Sequence, residues 1–323
     1  MLKWIKLLSL LSVLLCLWFF VRATDFSAVT SLLKKTGLRF CYLIGVTLVA
    51  YIFGSLSWWY CLGKDRRSVS IGQLFVVRHI GETLSLINPM SIIAGETAKV
   101  YLLKDIGIAR PVTIASILIA RVFLIISQLT LMILVLVPFL WADHQLSVDR
   151  FYAWAILALL LCTVACWMLY TKFADLPVLS GIQEKITRIA EAWNELFLYS
   201  KSALLLAFFF ALLHWIFGAL EFYLIIRFLG FNVSLLKGML VDLGVVVFKS
   251  AGAFIPAQLG VEEYGNKTMI ALVGIQSATL WVAASILRRS RQLFWIAIGC
   301  CAWLFVRLMP QLTEKKKNGN FIY

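Results

Sequence analysis

A glutamate and an arginine recur together at one spacing in two apolar stretches of the chain. The first copy reads Pro89, Glu96, Gly107-Ile108, Arg121 and the second reads Pro256, Glu263, Gly274-Ile275, Arg288. Both fit the template P-x6-E-x10-G-I-x12-R, at a constant offset of 167 residues. A charge inside a bilayer is expensive, so acid and base kept at matching places in apolar sequence point to a site. An arginine can meet a phosphate or carboxylate with a planar fork. A helix starting after each proline would add free backbone N–H groups and a positive dipole end, which suits an anion. On this reading the half-helix tips near Ser91 and Gly260 bind phosphate, and Arg121 and Arg288 neutralise it. Glu96 and Glu263 position the arginines, and Gly95 and Gly260 permit close backbone approach. Lys99, Lys249 and Glu262 complete the candidate set. The structural alternative is pairing: Glu96 with Arg121 or Lys99, and Glu263 with Arg288, each pinning a broken helix to a span.

Other charges sit in the same stretches. Lys249 aligns with Glu82 across the offset, an opposite-sign swap. Either the two pair where the halves meet, or each faces the aqueous end of its own half-helix. Glu221 and Asp242 are candidates for proton carriage, or partners for a neighbouring helix. His214 reads as a packed histidine.

The elements that must position these groups are membrane helices. The chain is 62% hydrophobic, with a mean hydropathy of +0.92, far above soluble proteins. Six runs are long enough to span a bilayer: 4–21, 40–62, 111–140, 151–170, 202–228 and 277–308. Residues 71–104 and 235–275 are apolar but interrupted. The first contains Arg78, His79, Glu82, Asn88-Pro89, Gly95-Glu96 and Lys99. That is too polar to face lipid. It suits a pair of half-helices that enter and turn back near a proline, shielded by protein. Residues 24–38 could lie in the interface. Residues 180–199, opened by the capping box Ser180-x-x-Gln183, read as an amphipathic surface helix.

The expected fold is an all-α polytopic membrane protein, one domain over residues 1–323. It has about six full transmembrane helices and two re-entrant half-helix pairs. The repeats, about 71–140 and 235–308, are inverted. The net charge of +14 lies mostly in loops and at both ends, which fits cytoplasmic loops and anionic headgroups, not nucleic acid. The positive-inside rule puts both termini in the cytoplasm, at the cost of placing Lys34, Lys35 and Arg39 outside. The seven cysteines form no CxxC pair and read as small hydrophobes. There is no GxSxG, HExxH or P-loop, and His79, His144 and His214 lack metal-ligand spacing. No enzyme activity, metal or cofactor is expected.

Two runs carry a family resemblance. Gly81-Glu82-Thr83, Asn88-Pro89 and Ala94-Gly95-Glu96-Thr97-Ala98-Lys99-Val100-Tyr101-Leu102-Leu103 resemble the first signature of the lysylphosphatidylglycerol synthase transmembrane-region family, also described as flippase-like membrane proteins. Its members show a proline, then G-E-x-x-[KR]-x-x-x-L, then a span with an embedded arginine, here Arg121. Ile255-Pro256-Ala257-Gln258-Leu259-Gly260-Val261-Glu262 resembles the second signature, P-x-G-G-[LV]-G-x-x-E, but has Gln258 and Leu259 where glycine is common. The resemblance covers roughly residues 5–308. It implies a multi-pass protein of the bacterial inner membrane, linked to lipid movement or envelope lipid metabolism. Fused relatives carry a soluble aminoacyl-transferase or glycosyltransferase domain. Only fifteen residues follow Leu308 here, so no synthase activity is expected. The first reading is a lipid translocase that binds an anionic, phosphate-bearing headgroup. The alternatives are a non-transporting membrane partner of an envelope glycosyltransferase or aminoacyl-lipid synthase, and an intramembrane lipid transferase using Glu96 or Glu263 as base.

Overall fold

The computed structural model describes residues 36–87, 92–142, 201–252 and 260–308, with Gln258 and a few isolated positions at 27–34, 187 and 191. The expected spans 4–21 and 151–170, the surface helix 180–199, most of 24–38, and Pro89, Ser91 and Pro256 fall outside these residues. Among the described residues every regular element is helical. Eight α-helices follow one another: α1 Phe40–Cys61, α2 Ile71–Ile87, α3 Ile92–Asp105, α4 Arg110–Ala142, α5 Lys201–Phe228, α6 Leu235–Ala251, α7 Val261–Leu272 and α8 Ala278–Leu308.

Three of these are long and apolar enough to cross a membrane: Gly37–Cys61, which includes α1, Arg110–Phe139 in α4, and α5. Two of them, α1 and α5, are apolar around the whole circumference, as a helix between protein and lipid requires. In α4, Pro111 sits in the first turn, where its missing N–H is not needed. The 31-residue α8 is long enough to cross, but its first half carries Arg288, Arg289 and Arg291. By contrast α2, α3 and α7, of 17, 14 and 12 residues, extend only about 26, 21 and 18 Å at 1.5 Å per residue. Each is shorter than a hydrocarbon core of about 30 Å.

The trio α2–α3–α4 and the trio α6–α7–α8 match element by element: 17, 14 and 33 residues against 17, 12 and 31. The ends of α3 and α7 match bond by bond. Gly107 and Gly274 adopt φ of 97° and 91°, a left-handed conformation that costs glycine little. Gly107 N donates to Lys104 O and Ile108 N to Leu103 O, at 2.9 and 3.1 Å. Gly274 N donates to Ala271 O and Ile275 N to Ile270 O, at 3.0 and 3.1 Å. These are two Schellman caps. Their hydrophobic partners belong to two separate cores. Leu103 and Ile108 are buried with Trp58, Leu74 and Ile119. Ile270 and Ile275 pack with Phe222, Ile225, Leu243 and Leu287. The recurring Gly-Ile dipeptide is therefore a helix stop.

Helix α1 lies along α5, which also packs on α4 and α6. The trios touch where α8 crosses α2 and where α6 packs on α4. At the α8–α2 crossing His79 Nε2 lies 2.8 Å from Trp295 O, and Gly299 gives room to Thr83.

The α2–α3 pair is interlocked through glycine. A Cβ on Gly95 would stand 2.0 Å from Ser85 Oγ and 2.2 Å from Gly81 O. A backbone oxygen cannot step aside, so Gly95→Ala must push the two helices apart. Overpacking of this kind costs about 1–3 kcal/mol. The expected result is a lower thermal midpoint for the detergent-purified variant; an unchanged midpoint would show that the crossing is loose.

Candidate functional site

The candidate residues separate into three groups. In the first, Glu82 from α2, Glu96 and Lys99 from α3, and Arg121 from α4 close a ring of charges. Lys99 Nζ donates to Glu82 Oε1 at 2.9 Å and to Glu96 Oε1 at 3.2 Å. Arg121 Nε donates to Glu96 Oε1 at 3.0 Å, and its Nη2 reaches Glu82 Oε1 at 3.3 Å and also Glu96. Helix geometry explains the grouping. Glu96 and Lys99 are three apart on α3 and share a face. The short α3 then brings that face against the middle of α4. Both sequence alternatives for Glu96 hold at once, because one carboxylate oxygen serves Arg121 and Lys99 together. Its other oxygen, Oε2, is buried without a partner.

The ring borders a small cleft that opens to the outside. Ser57, Trp58 and Gly54 of α1 and Arg78 of α2 line its other side. The Arg121 side chain is 39% exposed and that of Glu82 37%. This group can therefore be reached. Sequence reasoning gave Glu82 a different partner and left Arg78 out of the candidate set.

The second group is sealed. Arg288 of α8 donates to Asp242 of α6 at 2.5 Å and to Glu262 of α7 at 2.8 Å. All three side chains are at most 5% exposed. Lys249 stands 3.6 Å from Glu262. Nearby, Arg291 meets Glu221 of α5 at 2.7 Å. Of the alternatives the sequence left open, the Lys249–Glu82 pair is not formed, whereas Glu221 and Asp242 do partner a neighbouring helix. Lys249 does not pair with Glu82; each finds a partner within its own trio. Glu221 and Asp242 each serve as the carboxylate of a buried arginine.

The third group corrects the Glu263–Arg288 pairing. Glu263 binds Arg289, with Nε to Oε1 at 3.0 Å, and Gly260 N donates to Glu263 Oε2 at 2.8 Å. Glu263 sits at the third position of α7 and folds back on the residue before the helix, the glutamate half of a capping box. The tip proposed to hold phosphate thus already holds a carboxylate. The signal was present in the sequence as Gly260-x-x-Glu263. Gly95 is corrected too: the space beside it is filled by α2, not open to a ligand. Ser91 lies outside the described residues.

The trios therefore correspond chemically, but not along the 167-residue offset. Glu262 acts as Glu96 does, taking an arginine from the long helix and a lysine. Asp242 acts as Glu82 does. That lysine comes from α3 in the first trio and from α6 in the second. The offset partner of Lys99 is Asn266, which donates to Ser285 Oγ at 2.8 Å. Among the described residues no group of three or more His, Cys, Asp or Glu could hold a metal ion.

Gln258, which departs from the signature's glycine, has φ of 54°, in the left-handed region that glycine favours. Its carbonyl accepts from Arg289 Nη2 at 3.2 Å, and its own amide donates to Lys249 O at 3.3 Å. The side chain thus gives the strained loop an anchor that glycine would lack. No curated protein and no solved structure matches the chain. The family described as the lysylphosphatidylglycerol synthase TM region does match, over residues 6–301. The chain is a membrane protein and belongs to that family.

Proposed function

We propose that the chain is a lipid translocase whose first trio receives the anionic, phosphate-bearing headgroup of a membrane lipid. The observation that carries this reading is the contrast between the two arginines. Arg121 is exposed to a pocket, whereas its counterpart Arg288 is sealed between two carboxylates. A planar guanidinium at a pocket mouth can exchange a carboxylate for a phosphate without leaving a buried charge unpaired. Acyl chains would stay in lipid outside the bundle. The chain would bind and move lipid without covalent chemistry.

On this reading α2–α3 and α6–α7 are re-entrant pairs, and the trios are related by an axis in the membrane plane. Their matching lengths and caps support that relation, as does the shortness of α2, α3 and α7 against a bilayer. A bacterial inner membrane, with both termini cytoplasmic, suits the basic loops and the family.

The test is reconstitution into vesicles with a trace of fluorescent anionic phospholipid, followed by reduction of the label on the outer leaflet. The expected result is bleaching beyond the outer-leaflet share, faster than in protein-free vesicles. Lipid that binds but does not cross would favour the non-transporting partner of an envelope transferase.

A further inference from the structure

We infer that Arg78 is the anion anchor of this pocket, and that the pocket is built for one negative charge, the charge of a phosphodiester. The inference deepens the proposed function and rests on it. The ring of Glu82, Lys99, Glu96 and Arg121 is neutral by itself, with each carboxylate between two cations. Arg78 makes it positive. It forms no ion pair among the described residues. It donates to the main-chain oxygen of Tyr51 at 3.1 Å, and its guanidinium lies 5.9 Å from the Tyr51 ring. Three cations thus face two carboxylates around one cavity, and one positive charge is left over.

A second observation points to a ligand at the same place. Ser57 is 1% exposed, lines the pocket, and its hydroxyl has no hydrogen-bond partner. A buried hydroxyl left unmade costs free energy. A phosphate oxygen between Ser57 and Arg78 would satisfy it.

The guanidinium stays in place because α1 has a glycine opposite. A Cβ on Gly54 would fall 2.6 Å from both terminal nitrogens of Arg78. The buried cluster of the second trio, with Glu221 of α5, has no such surplus. Lys249, Arg288, Arg289 and Arg291 have Glu262, Asp242, Glu263 and Glu221 as partners.

Charge balance makes the proposal specific. Lys99 is 5% exposed and Arg121 and Glu82 little more than a third, so water screens a leftover charge of either sign only in part. A phosphodiester neutralises the pocket, whereas a doubly ionised phosphomonoester leaves it negative. Phosphatidylmethanol and phosphatidate with the same acyl chains isolate this difference, since the methyl group adds no polar contact. Binding to the purified full chain is measured by native mass spectrometry at a pH where phosphatidate carries its second charge. The wild type should prefer phosphatidylmethanol by about tenfold, the scale of one charge-assisted hydrogen bond. Glu82→Gln adds one positive charge with little change of shape and should reverse the preference. Arg78→Gln should weaken phosphatidylmethanol about tenfold. Gly54→Ala keeps every charge but displaces the guanidinium, and should weaken it in the same direction. This variant also serves should Arg78→Gln fail to fold. Equal affinity of the wild type for both lipids, or a Glu82→Gln preference unchanged from wild type, overturns the inference and leaves headgroup binding intact. No binding of either lipid overturns both readings.

Discussion

Arg288→Ala is expected to cost a large share of the stability of the protein. The arginine is enclosed by Asp242 and Glu262, and Asp242 has no other ion pair among the described residues. Removing one partner of a buried pair leaves a charge that neither water nor protein compensates, at a cost of about 3–5 kcal/mol. Folded domains have only about 5–15 kcal/mol in hand. The thermal midpoint in detergent, read by gel filtration after heating, should fall by on the order of 10 °C. Adding Asp242→Asn should recover part of that loss, because the two sites share one interaction. A midpoint equal to that of the wild type would show that this cluster does not hold α6, α7 and α8 together.

Arg121→Ala should have the opposite profile. Its side chain is partly solvated, and an exposed ion pair contributes about 0–1 kcal/mol. The fold should survive, with a midpoint within a few degrees of wild type. Lipid movement in vesicles should fall to the protein-free rate. Arg121→Lys should restore less than about a tenth of it. An ammonium is a point charge and cannot hold Glu82 and Glu96 while also forking onto a phosphate. Full activity of the lysine variant would reduce the role of Arg121 to simple charge. Glu96→Gln with Arg121→Gln should be more stable than the two single changes predict by addition, and still inactive. If that double variant moves lipid, the pair is scaffold only.

The two halves were legible in the sequence to different depths, for physical reasons. Helix stops are local chemistry, so Gly107-Ile108 and Gly274-Ile275 could be found by spacing alone. The Glu96–Arg121 pair was also within reach, since a span arginine needs a partner and one acid stood at the right distance. Glu262 and Glu263 could not be told apart this way. Neighbours on a helix point about 100° apart. The offset aligns Glu96 with Glu263, yet the cap at Gly260 engages Glu263, which meets Arg289, and leaves Glu262 to take Arg288. The cap itself was readable and shows why the alignment misleads. Arg78 was hidden for another reason. Its meaning depends on Gly54, in a different helix, and on the absence of a carboxylate, and neither is a property of its own sequence neighbourhood. Gly95 was readable as a close approach, but whether a ligand or a helix comes close depends on the register of α2.

The full pairing of the buried cluster in the second trio has a further consequence. A buried cluster whose four cations each hold a carboxylate has no valence left for a guest, so the two trios should offer one vacancy rather than two. Occupancy should then saturate at one headgroup per chain along a simple hyperbola. The two trios match in helix lengths and caps, while their charges are arranged differently.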